Sequence, residues 1–172
     1  MNRKRFLVLL FLFVALLSLI FYLRASKTVK ERKIWEEATL YLADYSSPKG
    51  PFLIPVKVKI MKDNVLSSAI ELLINPPPYI KGGSSPLPPG TKLLSAEVKG
   101  DTAFLNFSKE LKENFSGGST NEMLVVYGIV NTACSIDGIK RVQILIEGRK
   151  IESLGGHLEI IEPLEPDKEL VK

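Results

Sequence analysis

Hydrophobic residues fall in two regimes along the chain. Phe6 to Leu23 reads FLVLLFLFVALLSLIFYL, 18 residues without a charge and with only Ser18 and Tyr22 as polar tips. Coiled as a helix, at about 1.5 Å per residue, such a run covers about 27 Å, close to a bilayer's hydrocarbon thickness. A helix satisfies its own backbone hydrogen bonds, so residues 6–23 are predicted to form a transmembrane anchor. A cleaved signal peptide has a shorter apolar region followed by a small-x-small site. Here the run ends Tyr22-Leu23-Arg24-Ala25-Ser26, so the expectation is an uncleaved signal-anchor. Arg3, Lys4 and Arg5 precede the span, while Arg24, Lys27, Lys30, Arg32 and Lys33 follow it. Counting Lys and Arg therefore leaves the orientation open.

Residues 24–38 read as a charged stalk, with Ile34, Ala38 and Tyr41 spaced as a continuation of the membrane helix would space them. From Thr39 the period falls to two. Thr39–Ala43 and Val56–Ile60 alternate and predict two strands, separated by the turn cluster Ser46-Ser47-Pro48-Lys49-Gly50-Pro51. Leu66, Ala69, Ile70 and Leu73 mark an amphipathic helix that Asp63 or Asn64 is placed to cap. Asn75-Pro76-Pro77-Pro78 must stop it, because proline lacks the N–H and restricts the residue before it. A Gly/Pro/Ser-rich loop, Tyr79–Gly90, comes next. Leu94, Ala96 and Val98 are expected on one face of a third strand, Gly100-Asp101 in a hairpin turn, and Ala103, Leu105 and Phe107 on a fourth strand. Ser119-Thr120-Asn121-Glu122 has the form of a capping box, Ser119 at N-cap and Glu122 at N3. The helix it opens would carry Met123, Val126, Tyr127, Val130 and Ala133/Cys134 as its apolar stripe, closed by Asp137-Gly138. Val142, Ile144 and Ile146 alternate in a fifth strand, and a last strand is expected near His157–Ile161. Residues 39–163 form the predicted domain, and the charged, proline-broken 164–172 a frayed tail. The order ββαββαβ(β) predicts a small two-layer α+β fold: a mostly antiparallel sheet with two helices on one face.

Composition narrows the chemistry. The length of 172 residues fits one domain beside the anchor. One Cys excludes an internal disulfide framework and a Cys-rich zinc site, and one His excludes a site with two imidazoles. The net charge of +4 rests on Arg3, Lys4 and Arg5, because the remainder holds 20 Lys/Arg against 19 Asp/Glu. No basic face is implied, and no nucleic-acid partner is expected. Gly117-Gly118-Ser119 lacks the lysine and spacing of a phosphate-binding loop. His157, after Gly155-Gly156, has no nucleophile motif to serve and is expected to be structural. Cys134 lies on the predicted stripe and reads as a buried small hydrophobe. The carboxylates Glu36/Glu37 and Glu110/Glu113 read as solvated faces. The sequence therefore predicts a non-enzyme without metal or cofactor.

The second half carries a dense pattern. Ser85-Pro86-Leu87-Pro88-Pro89-Gly90-Thr91 precedes a strand. Asn106-Phe107-Ser108 and Asn114-Phe115-Ser116-Gly117-Gly118-Ser119 lead to Glu122. Val126-Tyr127-Gly128-Ile129-Val130-Asn131 sits mid-helix, and Ile144-Leu145-Ile146-Glu147-Gly148 precedes Gly155-Gly156-His157. This pattern resembles the GerMN domain family, a module of sporulation, spore germination and bacterial envelope proteins, over about Thr39 to Pro163. The chain holds one copy of it and no lipobox cysteine. The resemblance implies a fold like the small ring-building modules. It also implies an extracytoplasmic, non-catalytic domain behind a single-pass anchor in the cytoplasmic membrane, with residues 1–5 inside. Its partners would be itself or another envelope or sporulation protein. A second possibility is a module binding peptidoglycan or a small envelope ligand. For either, Tyr79, Ser84, Ser85, Pro86, Gly90 and His157 are the candidate contact residues, and Ser119, Glu122, Asn131, Gly155 and Gly156 the candidate structural motif.

Overall fold

The computed structural model describes residues 11–20 and 35–172. The chain divides into two compact units, Met1–Lys33 and Ile34–Lys172. In the first, residues 11–20 form an exposed helix, α1. Among the described residues no helix is long and apolar enough to cross a membrane. Both ends of the predicted 6–23 span, and stalk residues 24–34, lie outside the described residues.

The second unit opens with an antiparallel hairpin, β1 (Trp35–Asp44) and β2 (Phe52–Met61), paired from Trp35↔Met61 to Asp44↔Phe52. β1 starts four residues before the predicted strand. Pairing of Glu36, Glu37 and Ala38 with Ile60, Lys59 and Val58 holds this stretch extended, so the helical spacing of Ala38 and Tyr41 was fortuitous. Ala38, Leu40 and Leu42 enter the core together with Ile60. A single 3₁₀ turn, Lys62–Asn64, leads into α2 (Val65–Ile74), which buries Val65, Ala69, Ile70 and Leu73. Asn64 occupies the N-cap position but its side chain makes no capping bond, and Asn75 ends the helix before the prolines.

β3 (Leu93–Lys99) and β4 (Thr102–Phe107) form the second hairpin, turning at Gly100 with φ +66°. A bulge between Leu93 and Ser95 shifts the register. Leu93 thus faces Phe107, and Leu94, predicted to point inward, is pushed to solvent. Val98 is half-exposed for another reason: β3 is the edge of its sheet. Ala103, Leu105 and Phe107 are fully buried, as their alternation requires. After the single-turn α3 (Glu110–Glu113) comes α4 (Ser119–Cys134), then β5 (Arg141–Ile146), which pairs parallel to β4.

The fold is α+β, with two corrections to the expected sheet. Among the described residues there are two sheets, β1-β2 and β3-β4-β5, and the β4-β5 pair is parallel. α2 and α4 pack on each other and link the sheets. α2 touches β1, β2 and β3, and α4 touches β1, β2 and β5. α4 is therefore buried almost all round, with Leu124, Val125, Gly128, Ile129, Asn131 and Thr132 inside along with the predicted Val126, Val130 and Ala133. A one-sided stripe describes a helix on a surface, not one enclosed by neighbours.

The predicted strand near His157–Ile161 is absent. Gly156, at φ +90°, turns the backbone there, and Val142 bridges Leu164 instead. Residues 164–172 are not frayed. The Leu53 N–H donates to the Leu170 carbonyl at 2.8 Å and the Lys172 N–H to the Leu53 carbonyl at 3.1 Å, so the tail caps the start of β2.

Candidate functional site

Glu122 is the centre of the most constrained cluster. It is fully buried, one turn into α4. One carboxylate oxygen, Oε1, accepts the backbone N–H groups of Leu154 at 2.9 Å and Gly155 at 2.8 Å. The other, Oε2, accepts the N–H of His157 at 2.9 Å. The predicted capping box is therefore not formed. Gly118 is the N-cap, Ser119 is the first helical residue, and no side chain caps the helix. Three converging N–H donors outcompete a single one at the helix start, because each bond to a carboxylate is charge-assisted. Gly155 fits for a steric reason: a Cβ there would lie 2.5 Å from Phe115 Cε1 and 3.2 Å from Glu122 Oε2. Glu122, Gly155, Gly156 and His157 are thus one latch that ties the 154–157 loop to α4.

His157 contributes its backbone to this latch, while the residue as a whole stays exposed. It lines an open depression of about 530 Å³ with Glu152, Ser153, Gly156, Leu158, Glu159 and Ile161. Nearby, Lys112 Nζ donates to the Ser153 carbonyl at 2.8 Å, joining α3 to this loop. The Glu122 carboxylate is committed to three N–H donors and shut off from solvent, so it is not placed to shuttle protons to a substrate. Among the described residues no group of three or more His, Cys, Asp or Glu is arranged to hold a metal.

The proline-rich loop is mostly structure. Ser84 and Ala43 exchange backbone hydrogen bonds at 2.9 Å each way. Ser85 Oγ accepts the Leu87 N–H at 3.2 Å, and Pro86, Leu87 and Pro88 are buried. Pro86 lies against α4 at Gly128, where a Cβ would approach its Cγ to 2.7 Å. Gly90 turns with φ +83° beside Asn114, whose Nδ2 donates to the Pro89 carbonyl at 2.8 Å. Of the predicted contact residues, Tyr79 stands out at 79% exposed. It lines a second depression of about 320 Å³ with Val56, Lys57, Val58, Lys59, Leu72, Ile80 and Lys81. Tyr79 and His157 thus line different depressions.

Asn131, on α4, clamps the tail: its Nδ2 donates to the Asp167 carbonyl and its Oδ1 accepts the Asp167 N–H at 3.0 Å. Asn131→Ala is expected to cost about 1–2 kcal/mol, the range for two lost hydrogen bonds. Amide exchange at Asp167–Lys172 should rise selectively, and unchanged protection there would refute the clamp. Cys134 is half-buried, and desolvation, with a smaller contribution from Glu165, pushes its thiol up to about 11. The nucleophile is the thiolate. Labelling by a maleimide or a disulfide reagent should accordingly be very slow at neutral pH and accelerate up to about pH 11. Rapid labelling at pH 7 would contradict this burial.

Sequence reasoning missed three polar roles. Thr132 Oγ1 accepts the Tyr41 N–H at 3.0 Å and Ser135 Oγ the Thr39 N–H at 2.9 Å, so one hydroxyl on α4 and one at its C-cap close the outer edge of β1. Gln143, fully buried on β5, donates to the Ile144 and Ile160 carbonyls. None of these can be read from periodicity, because each depends on a partner distant in the chain.

The chain matches the model of the Germane family, described as sporulation and spore germination, over residues 39–152. Comparison with curated proteins finds no significant match. Among solved structures it is similar to a lipoprotein candidate from Clostridium perfringens, at 29% identity and TM-score 0.53, over 78% of this chain and 89% of that one. The first GerMN domain of the sporulation protein GerM from Bacillus subtilis matches at 21% identity and TM-score 0.62, over 78% of this chain and 99% of that domain. The tandem GerMN domains of the same protein match at 18% identity and TM-score 0.64, over 84% of this chain but 50% of the tandem. The latch, the buried proline loop and the enclosed α4 thus sit on a GerMN-type fold, and the chain belongs to the Germane family of sporulation and spore germination domains.

Proposed function

We propose that this protein is a non-catalytic assembly module of the bacterial envelope. Residues 6–23 hold it in the cytoplasmic membrane as a single pass, and residues 35–172 work outside the cytoplasm on itself or on another envelope protein. One observation carries this reading. The candidate motif residues Glu122 and Asn131, with Gly155 and Gly156, are spent on internal bonds and turns, so what the domain offers outward is surface. The family description as sporulation and spore germination, and the lipoprotein candidate among the similar structures, support an envelope setting. A ligand-binding module is less favoured, because Tyr79 and His157 line separate depressions.

In-cell crosslinking of the tagged full-length chain, followed by mass spectrometry, tests the proposal. The expected result is reproducible recovery of this protein or specific envelope proteins, linked through residues beyond Arg24. Recovery of wall fragments alone, or of nothing, would overturn it.

A further inference from the structure

The β1-β2 sheet has two outer edges, and they are treated differently. Along β1, Thr39 and Tyr41 are satisfied by Ser135 and Thr132, and Ala43 by Ser84. Along β2, Leu53 is satisfied by Leu170 and Lys172 of the tail. Beyond it stands Pro55, opposite Tyr41. Leu53, which pairs with Ala43, turns its N–H and carbonyl away from β1. In an antiparallel ladder this orientation repeats every second residue. Lys57 and Lys59, opposite Thr39 and Glu37, therefore also aim their backbone groups outward. Among the described residues no strand pairs with that side of Val56–Met61.

The second depression lies beside this open edge. Val56, Val58, Leu72 and Ile80, all partly buried against the core, give it an apolar component. Lys57, Lys59 and Lys81 give it a charged one. No Asp or Glu lines it, and none of the three lysines enters an ion pair among the described residues. Side chains alternate along an edge strand, so an added strand would meet valines on one face and lysines on the other.

We infer that the Val56–Met61 edge takes up an extended, acidic segment of a partner protein as a third strand, with apolar residues toward Val56 and Val58 and carboxylates toward Lys57 and Lys59. This is strand addition: backbone bonds supply the affinity and alternate side chains the specificity. The tail already shows this edge accepting extended backbone, since Val171 makes an isolated parallel bridge with Leu53. The inference rests on the assembly reading and names its surface and the chemistry of its partner. Lysines on an edge strand also serve in many proteins simply to discourage pairing. That alternative predicts no uptake of any peptide.

The test uses the full-length protein in detergent micelles and a fluorescent octapeptide of alternating valine and glutamate. Saturable binding that weakens with salt is expected, with new exchange protection at the Lys57 and Lys59 amides. The valine–lysine octapeptide should not bind. Lys57→Glu combined with Lys59→Glu, both at exposed positions, should weaken binding of the acidic peptide about tenfold or more, given the usual worth of cross-strand charge pairs. Absence of binding, or equal binding of both peptides, would overturn the inference. So would self-association of the protein through this edge in place of peptide uptake. If the peptide fails while in-cell crosslinks still reach partners through other surfaces, only this inference falls. If those crosslinks are also missing, the assembly reading falls with it.

Discussion

Glu122→Ala is expected to destabilise the domain by about 3–5 kcal/mol, the cost of removing one side of a buried, fully paired charge-assisted network. Alanine would leave three N–H groups, those of Leu154, Gly155 and His157, without their acceptor. It would also open a cavity at a fully buried site. Glu122→Gln separates the two contributions. It keeps the volume, and one oxygen can still accept from Leu154 and Gly155. Its amide NH₂ would then face the His157 N–H, donor against donor, so an intermediate loss of about 2 kcal/mol is expected. Urea unfolding of the full chain in micelles, followed by near-UV circular dichroism, gives both numbers. An alanine variant within about 0.5 kcal/mol of wild type, the range of ordinary surface substitutions, would show that the latch is not structural.

Gly128→Val should be the next most damaging change, at about 2–3 kcal/mol net, and here two effects oppose. Replacing a mid-helix glycine gains about 0.5 kcal/mol of intrinsic helix preference, less than alanine would gain because valine is β-branched. Against that, the first added carbon already falls 2.7 Å from Pro86 Cγ and 3.3 Å from the Tyr41 carbonyl oxygen. Overpacking of a tight interior typically costs about 1–3 kcal/mol and sometimes more, so the steric effect wins. Pro86→Ala in the same chain should recover part of the loss, because it removes the nearest obstructing atom. Additive losses in that double-mutant cycle would mean that the helix and the loop are not coupled at this contact.

Much of the fold was legible where local chemistry decides the outcome. The prolines after Asn75 had to end α2, and Ala103, Leu105 and Phe107 had to share a face of β4. Periodicity reports which side of an element is apolar, but not how many neighbours enclose it. That is why α4 is buried far beyond its expected stripe. Leu94 was misplaced because a one-residue bulge inverts every face before it, and a bulge leaves no mark in an alternating pattern. The site was legible only in pieces. Glu122, Gly155, Gly156 and His157 stood out singly, yet the pattern around Glu122 matched a local capping box equally well. Only the approach of a loop more than thirty residues away decides between the two. The tail failed for the same reason: its charge and prolines resemble a frayed end, and what holds it is Asn131 and the edge of β2.

The central claim, that this Germane-family domain works by assembling with other chains, is tested most directly by the mass of the tagged full-length protein extracted from native membranes in mild detergent. Native mass spectrometry should show a discrete species heavier than one chain, made of further copies or of a defined envelope partner. A protein recovered only as a single chain, across concentrations and under conditions that preserve other envelope complexes, would contradict the account.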